Sequence, residues 1–119
     1  MRTVNVIRLT QQDHVAIEMA IAYIDKHFDQ KLAPDQLAMD FEIPVKKLQK
    51  GLRLKVGLSV HDYVQRARML KAEELLADTD VPIKVIFKKV GYANASHFGQ
   101  FFKKHSGVTP LEYRFRHCG

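Results

Sequence analysis

This chain contains no tryptophan, one cysteine and no long apolar run. Each scarcity excludes something. The lone cysteine, Cys118, can form no internal disulfide and cannot assemble a cysteine-based zinc site. That suits a reducing, cytoplasmic setting. A bilayer-crossing helix needs about 20 consecutive apolar residues, so no membrane span is expected. The opening MRTVNVIRLT lacks an apolar h-region and a small-residue cleavage site, which argues against a signal peptide. Six histidines are scattered at 14, 27, 61, 97, 105 and 117, and none forms an H-E-x-x-H pair. Gly-rich phosphate loops and nucleophile elbows are missing too. The expectation is therefore no enzyme, no metal and no cofactor. Asp35 and Asp40 come nearest to an acid pair, but a short surface helix would leave both in water.

What is present is a core-forming composition with an uneven charge. Apolar residues make up 46% of the chain, so packing must come from Leu, Ile, Val, Phe and Met. The formal net charge is +6, with a pI near 9.6, and an anionic partner follows naturally. Residues 1–42 hold four Lys/Arg against seven Asp/Glu, whereas residues 43–119 hold fifteen against six. The basic character belongs to the last two thirds.

Periodicity points to helices almost throughout, with no βαβ pattern and no low-complexity segment. Residues 4–9 (VNVIRL) alternate weakly and fit a short strand or an arm. Thr10 and Asp13 form a cap for a helix over 11–28, whose apolar positions Ile17, Ile21, Ile24 and Phe28 share a face. Residues 34–43 and 44–56 predict two shorter helices, the second ended by Gly57. SVHD (59–62) is a capping box opening a helix to Asp78, with Tyr63, Ala67, Leu70, Leu75 and Leu76 as its apolar contacts. After a break with Asp80 as candidate cap, helices are expected at 82–90 and 95–105, the latter stopped by Gly107. TPLE (109–112) is a full capping box with proline first, opening a last short helix.

The chain also repeats itself. LRLKVGLSVHDY (52–63) and FKKHSGVTPLEY (102–113) share a glycine at the sixth place and a tyrosine at the twelfth. Leu48 aligns with Phe98, and Leu52 with Phe102. Each copy is a short helix, a tight connection, a longer helix, a glycine stop and a capped helix. Helix-turn-helix DNA readers have that layout: one helix braces across the backbone and the next enters the major groove. Two copies are too few for a solenoid. In each copy the second helix carries basic residues, Lys46, Lys47, Lys50 and Arg53 in the first and Lys103 and Lys104 in the second, and phosphate binding accounts for them. The competing reading is a charged, solvated helix face on a basic helical adaptor that binds protein partners without reading DNA.

Residues 66–114, RARMLKAEELLADTDVPIKVIFKKVGYANASHFGQFFKKHSGVTPLEYR, resemble the DNA-binding domain of AraC/XylS transcription regulators. The Gly–x–Thr–Pro–x–x–Tyr–Arg pattern, Gly107 to Arg114, carries the likeness most specifically. The resemblance runs over roughly 12–116. It implies an all-α fold of about seven helices: an arm (1–9), a first helix-turn-helix subdomain (10–59), a linker helix (60–79) and a second subdomain (80–119). It implies two recognition helices in successive major grooves of double-stranded DNA, ~34 Å apart. Base-reading candidates are Lys46, Gln49 and Lys50 in the first helix, and Ser96 and Gln100 in the second, where Ala95 and Gly99 offer little. Lysine suits guanine and glutamine suits adenine. Candidate phosphate ligands are Lys47, Arg53, His97, Lys103 and Lys104, with Arg68 and the helix start at Thr109 as further options. RNA polymerase and dimerisation through a further domain are additional expectations for partners.

Two positions depart from the family pattern. Glu42 stands where the turn glycine usually falls, and a left-handed backbone there would cost on the order of 1 kcal/mol. Phe87 occupies the usual alanine position, and small Ala95 and Gly99 are the expected compensation, with an altered angle for the second recognition helix.

Overall fold

Local signals start and stop the helices largely where the sequence places them. The computed structural model describes residues 7–117, and those residues form seven helices: α1 (Gln11–His27), α2 (Pro34–Asp40), α3 (Val45–Val56), α4 (Val60–Asp78), α5 (Ile83–Lys89), α6 (Ala95–Ser106) and α7 (Pro110–His117). Most of the expected arm, residues 1–6, lies outside the described residues; 7–9 carry no regular structure. Thr10 and Asp13 cap α1 reciprocally. The Thr10 N–H donates to Asp13 Oδ2 at 2.8 Å, and the Asp13 N–H donates to Thr10 Oγ1 at 3.1 Å. Thr109 and Glu112 do the same for α7. Each pair satisfies helix-terminal N–H groups that have no carbonyl to bond. Gly57 and Gly107 end α3 and α6 in left-handed conformation, at φ 75° and 81°.

One helix start and one helix end differ from expectation. Asp80 does not cap α5: Pro82 is its N-cap, and the Val81 N–H is taken by Thr79 Oγ1 at 3.2 Å. Phe28 falls just beyond α1 rather than inside it.

The chain groups into two compact units, divided inside α4 between Val64 and Gln65. The first holds the chain through His27 together with Leu32–Val64; the second holds Phe28–Lys31 and everything from Gln65 onward. In the first unit the fully buried residues are Ile17, Ala20 and Ile24 of α1, Leu37 of α2, Leu48 and Leu52 of α3, and Val60. Gly51 of α3 meets α1 so closely that a methyl there would run into Ile17. Two ion pairs also tie α3 to α1: Lys47 Nζ to Asp13 Oδ2 at 2.9 Å, and Lys55 Nζ to Glu18 Oε1 at 3.1 Å.

The second unit is built on aromatic rings. Phe98 and Phe102 of α6 pack 5.7 Å apart, centroid to centroid, among Met69, Ala72, Leu76, Ile86 and Val90. Removing either ring would cost about 3–5 kcal/mol. Leu70, expected in this core, is 51% exposed; the inward face of α4 runs through Met69, Ala72 and Leu76 instead. Phe87 is buried and lies 6.3 Å from Phe98. The expected compensation is absent: Ala95 is exposed, and a methyl on Gly99 would point into open space. The neighbours that accommodate Phe87 are the core rings themselves.

Both units turn between their paired helices by one device. The Ile43 N–H donates to the Ala38 carbonyl at 2.9 Å and the Glu42 N–H to the Met39 carbonyl at 3.2 Å. In the second unit Tyr92 bonds Phe87 at 2.9 Å and Gly91 bonds Lys88 at 3.1 Å. This six-to-one and five-to-two pattern needs a left-handed residue just past the helix. Gly91 supplies it at φ 107°, and Glu42 adopts it at φ 55°. Glu42 is the one non-glycine residue with positive φ among those described. The sequence expectation for Glu42 therefore holds.

Candidate nucleic-acid interface

Pro44 sets the start of α3 without a side-chain cap, and its first turns present an uneven surface. Lys46 and Arg53 are exposed and Lys50 is half-buried. Together with Ile7, Val45, Gln49 and Leu54 they line one shallow groove along the outer side of the helix. None of these three cations has an acidic partner within 4 Å among the described residues. Leu54, 66% exposed, continues the same face and is not explained by burial.

Two residues assigned to DNA by sequence also have structural partners. Lys47 is engaged by Asp13, whose own side chain is only 13% exposed, so its ammonium is committed to the α1–α3 contact. Gln49 Oε1 accepts the N–H of Val60 at 2.9 Å. Val60 opens α4, and its N–H has no helical acceptor. The bidentate adenine contact needs both the oxygen and the nitrogen of glutamine. Held this way, Gln49 has only Nε2 left to offer.

In α6 the start is capped by Asn94, whose Oδ1 accepts the His97 N–H at 2.8 Å. Helical periodicity alone does not reveal this cap, although an asparagine just before an apolar-periodic stretch is a standard start signal. Ser96, His97 and Gln100 are exposed beyond it, as are Lys103 and Lys104. The end of α6 is fixed to α4: Ser106 Oγ donates to Glu73 Oε2 at 2.9 Å, and His105 Nε2 lies 3.4 Å from Glu73 Oε1.

The remaining phosphate options turn inward. Arg68 Nε donates to the Phe28 carbonyl at 2.6 Å and its Nη2 to the Gln30 carbonyl at 2.8 Å. Its guanidinium also lies 5.4 Å from the centre of the Tyr92 ring. The helix start at Thr109 already faces the Glu112 carboxylate. Arg114, last residue of the Gly107–Arg114 pattern, binds the carbonyls of Leu76, Thr79 and Val81 at 3.1, 3.1 and 2.7 Å. It ties α7 to the end of α4. Much of the motif that signals DNA binding thus builds the frame.

Electrostatics agree with this division. The backbone N–H of Thr10, and then the Lys47 ammonium, hold the Asp13 carboxyl below its ordinary value. The Thr109 hydroxyl and N–H do the same for Glu112. Burial pushes the Tyr92 phenol up, and its hydroxyl donates to Gln65 Oε1. These shifts sit at structural contacts. Among the described residues no three His, Cys, Asp or Glu side chains cluster as a metal site. No described helix is long and apolar enough to cross a membrane.

Two helix-turn-helix units, each presenting a basic second helix, define a DNA-binding domain of the transcription-regulator class. The family model for a helix-turn-helix domain matches residues 37–116. RhaS, a transcriptional activator of Klebsiella pneumoniae, is 26% identical over 98 residues, covering 82% of this chain and 35% of its own length. Among solved structures, the C-terminal domain of AraT, a response regulator from Geobacillus stearothermophilus, is 32% identical with a TM-score of 0.83. That likeness covers 95% of this chain and 91% of the other. The DNA-binding domain of AdpA, a global transcriptional factor solved with a target DNA, shares the fold at a TM-score of 0.79 and 18% identity, over 85% of this chain and 91% of that one. The chain belongs to the helix-turn-helix family of AraC/XylS DNA-binding domains. It spans about a third of the length of the curated relatives it matches, and the family is one of regulators rather than enzymes.

Proposed function

We propose that this domain binds double-stranded DNA at specific sites and regulates transcription there, with α3 and α6 entering successive major grooves. The carrying observation is the outer face of α3, where Lys46, Lys50 and Arg53 have no acidic partner among the described residues, beside a lysine, Lys47, that is ion-paired to Asp13. Cations without a structural task, on the second helix of a helix-turn-helix, are suited to guanine edges and phosphates. Lys46 and Lys50 are assigned to bases and Arg53 to phosphate. Gln49 is reduced to a single donor. In α6, Ser96 and Gln100 are assigned to bases, and His97, Lys103 and Lys104 to the backbone. The setting is cytoplasmic. RNA polymerase is the partner through which a bound regulator would act, and dimerisation would come through a further domain.

The test is selection of bound sites from random duplexes. Wild type should enrich one motif, with affinity falling steeply as salt rises. Lys50→Ala should relax one motif position by about 1–3 kcal/mol. Gln100→Ala should relax a different position. A motif that neither substitution changes would remove both from the reading face. Salt-dependent binding without any enriched motif would favour the protein-binding adaptor.

A further inference from the structure

The two helix-turn-helix units share a frame but carry opposite charge on the helix before the recognition helix. Their matching turn hydrogen bonds fix the correspondence: Ala38 aligns with Phe87 and Glu42 with Gly91. Asp35, Met39 and Asp40 of α2 then correspond to Lys84, Lys88 and Lys89 of α5. All six are exposed. With Glu42 counted, α2 and its turn present three acids and no base; α5 presents three lysines and no acid. No described acidic side chain lies within 4 Å of the three lysines, whereas Lys47, Lys55 and Lys71 are all paired.

The helix dipole accounts for Lys88 and Lys89, in the last turn of α5, but not for Lys84. Lys84 lies in the first turn, where the helix dipole disfavours a cation, and four residues from Lys88, where like charges repel. An external anion would relieve both. In helix-turn-helix domains the first helix of the pair crosses the DNA backbone. We infer that Lys84, Lys88 and Lys89 form a phosphate-binding ridge that makes the second unit the main backbone anchor of this domain. Sequence reading then falls mainly to the first unit, whose α2 repels the backbone that α5 attracts. The limited hydrogen-bonding face of α6 agrees, since Ala95 and Gly99 bring no polar group to it. This inference rests on the proposed DNA binding.

The experiment compares wild type, a Lys84→Gln/Lys88→Gln/Lys89→Gln variant and the matching triple arginine variant. Binding to a selected duplex is followed by fluorescence anisotropy across salt concentrations. Each phosphate neutralised contributes about 0.9 to the slope of log affinity against log salt, so the glutamine variant should lose roughly 2–3. Between 50 and 200 mM salt that makes it about 40-fold less salt-sensitive than wild type, with the selected motif unchanged. The arginine variant should keep the wild-type slope. Far-UV circular dichroism checks the fold, and single substitutions, each lowering the slope by about 0.9, serve if the triple variant unfolds. An unchanged slope in folded variants, or a shift in the selected motif, overturns the inference while leaving DNA binding intact. A wild type with no salt-dependent duplex binding overturns both.

Discussion

Substituting Gly51 by alanine should destabilise the first unit, although glycine in a helix interior is normally the weaker residue. A Cβ at this position would lie 2.1 Å from Ile17 Cδ1, 2.6 Å from Cγ1 and 3.0 Å from Cγ2. Non-bonded carbons prefer about 3.5–4.0 Å. Turning χ2 of Ile17 moves only Cδ1. Cγ1 and Cγ2 are fixed by χ1, which a β-branched residue in a helix can hardly change. Helices α1 and α3 must therefore separate, a strain at the upper end of the 1–3 kcal/mol range for overpacking, about 3 kcal/mol. Better helix propensity returns about 1 kcal/mol. The net loss is about 2 kcal/mol, a fall in Tm of roughly 10 °C. In an Ile17→Ala background the clashing atoms are gone, and Gly51→Ala should then stabilise by about 1 kcal/mol. The four proteins form a double-mutant cycle, read by urea denaturation and calorimetry, with a coupling of about 3 kcal/mol and a reversal of sign. If Gly51→Ala stabilises the wild type, or has the same effect in both backgrounds, the close helix approach is not what selects glycine.

Two further outcomes follow from local geometry. Glu42→Gly should raise the urea midpoint by the equivalent of about 0.5–1 kcal/mol, because φ 55° strains a side-chain-bearing residue; an unchanged or lower midpoint refutes the strain. Asp13 and Glu112 have folded pKa values below their ordinary 3.8 and 4.5. Their stabilisation is thus fully present above the unfolded values and lost as pH falls through the lower, folded ones. Asp13→Asn and Glu112→Gln should each flatten the loss of stability on acidification below about pH 5, measured by thermal melts; parallel wild-type and variant profiles would refute the assignment.

Much of the frame was legible because its signals are local. A capping box spans three residues, so Thr10/Asp13 and Thr109/Glu112 declare themselves in any reading of the chain. The glycine stops at 57 and 107 answer a backbone requirement that few other residues meet. The bounds of α3 and α6 follow from the sequence to within a residue for the same reason. Helical periodicity did less well at Leu70, because several residues of α4 share an apolar register and only packing selects which of them face the core.

The functional face was less legible, because sequence shows which residues are polar but not which polar groups are already used. Lys46 and Lys47 are adjacent and chemically alike. A partner 34 residues away occupies one of them, while the other is left in solvent. Gln49 is consumed by an N–H eleven residues on, and Arg68 by carbonyls 38 and 40 residues back. Gly51 looks like an ordinary weak point until Ile17 is set against it.

By itself, then, the sequence determined the helices, their caps and stops, the repeated frame and the family, since each rests on hydrogen bonds and spacings within a few residues or on a specific motif. Tertiary structure decided which side chains remain available to a ligand. That choice depends on contacts between distant segments, where a hydrogen bond or ion pair formed on folding removes a donor from the surface.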